Sequence, residues 1–145
     1  MKIVVIIILL ICLSVSLSIS AEWEAIGVTG CYFYKSNLRV VSKNVISVSV
    51  KIVYSDKEVV RLDDNLRKNG SAYDFSKYGY TIMQEFMNCK DDSTAYKYVI
   101  HYDKSGKPIT FSEYSDIEYD KVTPNTVGSE MLISICNFAS AHNIK

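Results

Sequence analysis

Between Val45 and Tyr54 the sequence alternates: Ile46, Val48, Val50, Ile52 and Tyr54 take one parity, and Ser47, Ser49 and Lys51 take the other. Successive side chains of a strand point to opposite faces, so this run predicts a half-buried strand with one face in the core. A chain that carries such a strand must build a sheet and cover one side of it. Neighbouring segments supply the sheet. Trp23 to Val28 starts it, Cys31 to Tyr34 is a second strand ended by Ser36-Asn37, and Leu38 to Val41 begins the next after a tight turn. Thr81 to Asn88 and Ala95 to Tyr102 are strand-like, with Lys90-Asp91-Asp92-Ser93 turning between them. Asp103-Lys104-Ser105-Gly106 turns the chain again, and Pro108 to Phe111 returns as the second arm of a hairpin. Ser55 to Gly79 carries mixed charge and reads as a loop with one helical turn near Glu58 to Leu66.

The cover comes from the C-terminal end. Val122-Thr123-Pro124-Asn125-Thr126 stops the strand pattern, and Met131, Leu132, Ile135, Cys136 and Ala139 then recur at three- and four-residue spacing. That predicts an amphipathic helix capped by Thr126 or Asn125, with Glu130 in its first turn, where the helix dipole favours an acidic side chain.

The opposite end of the chain places it in a cell. Lys2 precedes an apolar run from Ile3 to Leu13, and Ser18-Ile19-Ser20 leads into Ala21. A basic start, an apolar run too short to span a bilayer comfortably, and small Ser18 and Ser20 at the cleavage position predict a secretory signal peptide. Bulky Ile11 before Cys12 argues against a lipid anchor. The expected organisation is a signal peptide over residues 1–20 and a single domain over 21–145, secreted or periplasmic, with cell-surface association open and no membrane span after cleavage. Without Lys2 the basic residues fall one short of the 16 acidic ones, and both signs are scattered. No basic stripe is available to neutralise phosphates, which excludes nucleic acid as a partner.

Of the 4 cysteines, Cys12 leaves with the signal, and Cys31, Cys89 and Cys136 remain in an oxidising compartment. Three pairings are open. The favoured one joins Cys89 to Cys136, because it would pin the helix against the sheet and close a long loop, a restraint worth about 4 kcal/mol in the chain-entropy model. Cys31 is then a free thiol or the seat of an intermolecular bond, and with exposed strand edges it motivates a homodimer as a further expectation. There is no CxxC pair, and His101 and His142 stand alone, so no zinc or other metal site and no cofactor is expected. The acidic run Glu113, Asp116, Glu118 and Asp120 lacks the spacing and glycine of a calcium loop and reads as a solvated strand edge.

Tyrosine is abundant, with 11 in the chain. Its stiff ring and polar tip suit protein interfaces. Tyr96, Tyr98 and Tyr102 share parity with Ile100 and are expected on the packed face. Tyr73, Tyr78, Tyr80, Tyr114 and Tyr119 lie in or beside loops and are the candidate protein-binding residues. No catalytic set is legible: His101 sits in a strand beside Val99 and His142 lies near the end, neither with a nucleophile and orienting group at a recognisable spacing.

Taken in order, Trp23-x-x-Ile26, Lys51-Ile52-Val53-Tyr54, Glu85-x-x-Asn88-Cys89-Lys90, Tyr102-Asp103-x-x-Gly106 and Val122-x-Pro124-x-Thr126 before a helix with Cys136 resemble the surface-adhesin E family of small bacterial secreted and envelope proteins. The resemblance spans nearly all of residues 21–145. It implies an α+β fold: an antiparallel sheet of about six strands with a C-terminal helix packed on one face and tied by the Cys89–Cys136 disulfide. Four features depart from the family pattern. Asn88 stands for a usual Asp, Thr126 for a usual Ser, Asp91-Asp92-Ser93-Thr94 replaces commonly basic residues, and Cys31 is extra. The family's type member binds host extracellular-matrix proteins. The resemblance therefore implies a non-enzymatic protein-binding domain whose partner is a host matrix or envelope protein. A periplasmic inhibitor or envelope-maintenance protein is the alternative expectation, and a small hydrolase a further one.

Overall fold

The computed structural model describes residues 22–68 and 74–144. The residues read as a signal peptide, and Tyr73, lie outside them. The strands are β1 (Trp23–Ala25), β2 (Cys31–Tyr34), β3 (Arg39–Ser42), β4 (Val45–Val53), β5 (Tyr78–Asn88), β6 (Ser93–Asp103), β7 (Pro108–Glu113) and β8 (Asp120–Lys121). The helices are α1 (Asp56–Lys68) and α2 (Val127–Ala141).

One 8-stranded antiparallel sheet runs in the order β1-β2-β4-β5-β6-β7. The two further strands fill out the ends of longer ones. β3 pairs with the start of β4 while β2 pairs with its end, and β8 pairs with the start of β6 while β7 pairs with its end. The expected sheet of about six strands is thus present as six positions across. Tight turns set its registers. Asn44 and Asp92 take positive φ between β3 and β4 and between β5 and β6, and the Asn88 side-chain oxygen accepts from the backbone of Lys90 and Asp91. In the β6–β7 turn the Asp103 carboxylate accepts from the backbone of Ser105 and Lys107, and Gly106 takes φ 85°.

Burial along β5 alternates cleanly from Tyr80 to Asn88, with Thr81, Met83, Glu85 and Met87 buried and the residues between them half-buried. The buried parity meets Ile46, Val48 and Val50 of β4, together with Cys31, Phe33 and Val99. On this face lies α2, which contributes Met131, Ile135 and Ala139 and sets Phe138 edge-on to Phe33 at 4.9 Å. Each of the larger apolar side chains so buried is worth about 1.5–3 kcal/mol. Thr126 is the N-cap, exchanging hydrogen bonds with Ser129 in a capping box. A disulfide joins Cys89, just past β5, to Cys136 on the buried side of α2.

Two expectations need correction. The segment after β4 is not a loop with one turn but a 13-residue helix, α1. Ser55 and Glu58 exchange hydrogen bonds at its start, Asp56 and Glu58 occupy the first turn, and Arg67 and Lys68 the last, so the helix is stabilised largely by its ends. It touches the domain through Val59 and Leu62, which pack with Tyr54, Phe75 and Tyr78 in a satellite cluster on the same side of the sheet as α2. The second correction concerns β6, where Val99 rather than Ile100 faces the core. Ile100, Tyr98 and Tyr102 point to the other face, while Tyr96 returns to the helix side because the register slips by one residue between it and Tyr98.

Candidate protein-binding face

Both helices pack on one side of the sheet, so the side chains of the opposite parity form an open face. At one end of that face the chain closes it with polar groups. Asn37 accepts from the Ser49 backbone at 3.0 Å, the Ser49 hydroxyl donates to Gln84 at 2.8 Å, and the Gln84 amide donates to the Ser47 hydroxyl at 2.6 Å. Ser47 and Ser49 are buried beneath this network. The mutual hydrogen bonds satisfy these groups internally and leave the region with little to offer a partner.

The other end is aromatic. Trp23 of β1 pairs with Tyr34 of β2, their rings 5.1 Å apart. Lys51 of β4 lays its ammonium 5.9 Å from the Trp23 ring centre and 4.4 Å from that of Tyr80 on β5. Tyr80 stacks on Tyr102 of β6 at 4.7 Å with the planes 12° apart, and Tyr98 and Phe111 continue the surface onto β7. The row crosses the sheet from β1 to β7. Six strands about 4.8 Å apart make it roughly 24 Å wide, the order of size of one side of an ordinary protein–protein interface. The rings are half-buried because they lie on one another, and among the described residues no helix or strand is laid over them. Phe111 at 60% and Val53 at 39% exposure show the edge of the patch plainly. Contiguous apolar surface of this kind marks interaction sites, and Lys51, its ammonium held over the rings, adds a directional donor.

Of the five tyrosines singled out by sequence, the four among the described residues do not come together. Tyr80 belongs to the open face. Tyr78 is 1% exposed, packed against Phe75 and stacked on His101, so it is a core residue and not a contact residue. The reason is a bulge: Tyr78 and Tyr80 share sequence parity, but the register shifts between them and sends them to opposite faces. Tyr114 and Tyr119 are exposed on the connection from β7 to β8, on the helix side, where Tyr114 lies 6.5 Å from Tyr96. Tyr73 lies outside the described residues. Trp23, Tyr34, Lys51, Tyr98 and Tyr102 were missed as a group, and only Lys51, on the parity opposite to Val48 and Val50 within β4, carried a local signal that could have found it.

Among the described residues, His101 belongs to a chain of hydroxyls. Its Nδ1 shares a 2.6 Å hydrogen bond with the Thr81 hydroxyl, which in turn meets the Tyr54 hydroxyl at 3.0 Å. Thr81 is 1% exposed, out of reach of a substrate, and burial lowers the pKa of the His101 imidazole. The chain of hydroxyls satisfies buried polar groups where β4, β5 and β6 meet the satellite cluster. Among the described residues no three His, Cys, Asp or Glu side chains gather to hold a metal ion, and no helix is long and apolar enough to cross a membrane. Cys31 is a free thiol, 2% exposed in the main core, and burial, reinforced by the negative charge of Glu58, raises its pKa. An intermolecular bond through it would require β2 to open.

The fold is similar to that of Haemophilus influenzae protein E. One crystal form superposes with a TM-score of 0.54 at 8% identity, covering 85% of this chain and 93% of that one. Protein E from non-typeable Haemophilus influenzae superposes with a TM-score of 0.52 at 10% identity, covering 88% and 84%. At these identities the likeness establishes the fold, and it is the fold implied by the surface-adhesin E resemblance. No protein-family model matches the chain, and no curated protein matches it by sequence.

Proposed function

We propose that this chain is an extracytoplasmic, non-enzymatic protein-binding domain of the surface-adhesin E type, which engages a protein partner through the open aromatic face of its sheet. The observation that carries the reading is the row from Trp23 through Lys51 and Tyr80 to Tyr102, an aromatic surface on rigid strands with no element of the described chain laid over it. Binding residues held on strands are preorganised, which lowers the entropy lost on association. Residues 1–20 act in this reading as the signal peptide that delivers the domain, and host extracellular-matrix proteins are the partner class implied by the resemblance.

The test is surface plasmon resonance of residues 21–145 over a panel of immobilised matrix proteins. Saturable binding is expected, weakened at least about tenfold by Tyr80→Ala with Tyr102→Ala, since buried aromatic anchors of an interface typically contribute 2 kcal/mol or more. Tyr114→Ala with Tyr119→Ala should leave it unchanged. If the two double variants behave alike, the open face is not the binding surface. Absence of binding to any matrix protein, with saturable binding to a purified cell-wall hydrolase, would move the domain to the inhibitor class.

A further inference from the structure

We infer that the cavity between the start of α2 and the sheet, with Glu85 in its lining, is a binding site for an alkylammonium chain, supplied either as a free aliphatic amine or as a lysine side chain. The cavity, partly open to solvent, has a volume of about 430 Å³, enough for a short aliphatic chain. Its walls are chiefly apolar, with Ile52 and Met83 from the sheet, Val122 beside β8, and Val127 and Met131 from α2.

Glu85 is the anomaly. It sits in mid-strand on the core parity, opposite Val48, where every other consideration calls for an apolar side chain. It is 4% exposed, and Thr94 hydrogen-bonds the carboxyl group, but Oε2 has no hydrogen-bond partner. A buried carboxylate oxygen left unpaired is costly, and native proteins reserve such positions for a function or a missing partner. Lys121 also lines the cavity but donates from Nζ to the Asp91 carbonyl, so it is engaged elsewhere. The other titratable groups facing the cavity are Tyr96 and Asp120.

Charge selects the ligand. Tyr96 and Asp120 are shared with an adjoining cavity of about 400 Å³, whose rim carries Glu113, Asp116 and Glu118. Tyr96 and Asp120 thus join the two cavities, and the approach that they share with Glu85 is rich in acidic side chains. A carboxylate needs a donor, the approach favours a cation, and the walls favour methylene groups. An ammonium on an aliphatic chain meets all three requirements, with the nitrogen at Glu85 and its chain along Met83 and Met131. Burial pushes the free Glu85 carboxyl up to about 7, so that an arriving ammonium, which needs the ionised form, displaces a proton.

Isothermal titration of residues 21–145 with cadaverine, with N-acetyl-lysine methylamide and with hexanol tests the site. Binding of at least one amine with a Kd at or below about 1 mM is expected, and none of hexanol. A tighter fit for cadaverine identifies the free amine as the ligand, and a tighter fit for the capped lysine identifies a protein side chain. Glu85→Gln should weaken binding at least about tenfold, the usual worth of a hydrogen bond to a charged group. Titration of the unaltered protein in two buffers of different ionisation enthalpy provides a readout that needs no variant. At pH 7 about half a proton should be released per amine bound. No amine binding up to about 10 mM, equal binding of hexanol, unchanged binding by Glu85→Gln, or binding without proton release would each overturn the inference.

Discussion

Replacing Glu85 with glutamine is expected to stabilise the folded domain at pH 8 and to change little at pH 4. The carboxyl group is 4% exposed with one oxygen unpaired, and burial raises its pKa from 4.5 to about 7. An acid whose pKa is higher folded than unfolded binds more protons in the folded state between those two values. Stability then falls as pH rises from about 4.5 through about 7, and is level beyond. A pKa unit is 1.36 kcal/mol, so the full loss is roughly 3 kcal/mol. Glutamine has nearly the same shape and no charge to bury, so the variant should lack this slope. Urea denaturation at intervals from pH 4 to 8.5 reads both proteins. The difference should stay within about 1 kcal/mol at pH 4 and grow to roughly 3 kcal/mol at pH 8, a shift of about 10 °C in Tm for a domain of this size. His101 makes the comparison with the variant necessary. Burial lowers its pKa, so its contribution to stability is lost as pH falls, in an overlapping window and with opposite sign. That contribution is common to both proteins and cancels in the difference. Parallel profiles for the two proteins between pH 4.5 and 7 would refute the reasoning.

Other perturbations test the scaffold. Removing the disulfide with Cys89→Ala and Cys136→Ala, which opens a loop of sequence separation 47, should cost about 4 kcal/mol in urea denaturation, and hydrogen exchange should show α2 losing protection before the β4–β5 pair. Gly79→Ala would place a Cβ 2.8 Å from the Asp103 carbonyl oxygen and 2.9 Å from its carbon, both backbone atoms unable to step aside. A loss of about 2 kcal/mol is expected, read as a lower urea midpoint. The Cys31 thiol, buried and with a raised pKa, should resist iodoacetamide at pH 8 until urea unfolds the domain, and fast alkylation of the native protein would contradict its placement in the core.

α1 shows a signal that was present in the sequence and outweighed. Ser55-Asp56-Lys57-Glu58 has the spacing of a capping box, and the acidic start and basic end match the helix dipole. The low apolar content hid it, because a helix that buries Val59 and leans on Leu62 carries only a faint stripe. The open face was hidden for a different reason. Counting parity along β5 and β6 assumes an unbroken ladder, and the one extra residue between Tyr78 and Tyr80 on β5 and between Tyr96 and Tyr98 on β6 switches the side chains to the other face without altering the local pattern.

Local chemistry determined much of this protein by itself. The alternation from Val45 to Tyr54, the turns at Lys90 to Ser93 and at Asp103 to Gly106, the stripe from Met131 to Ala139 and the Thr126 cap each rest on interactions within a few residues, and so are written in consecutive positions. Only the tertiary structure decided which tyrosines are core and which are surface, and which buried position holds an unpaired carboxylate. Both depend on register across strands far apart in the chain, where a single inserted residue reverses every side chain beyond it. Tyr78 in the core and Tyr80 on the open face, two positions apart, are the outcome of that one shift.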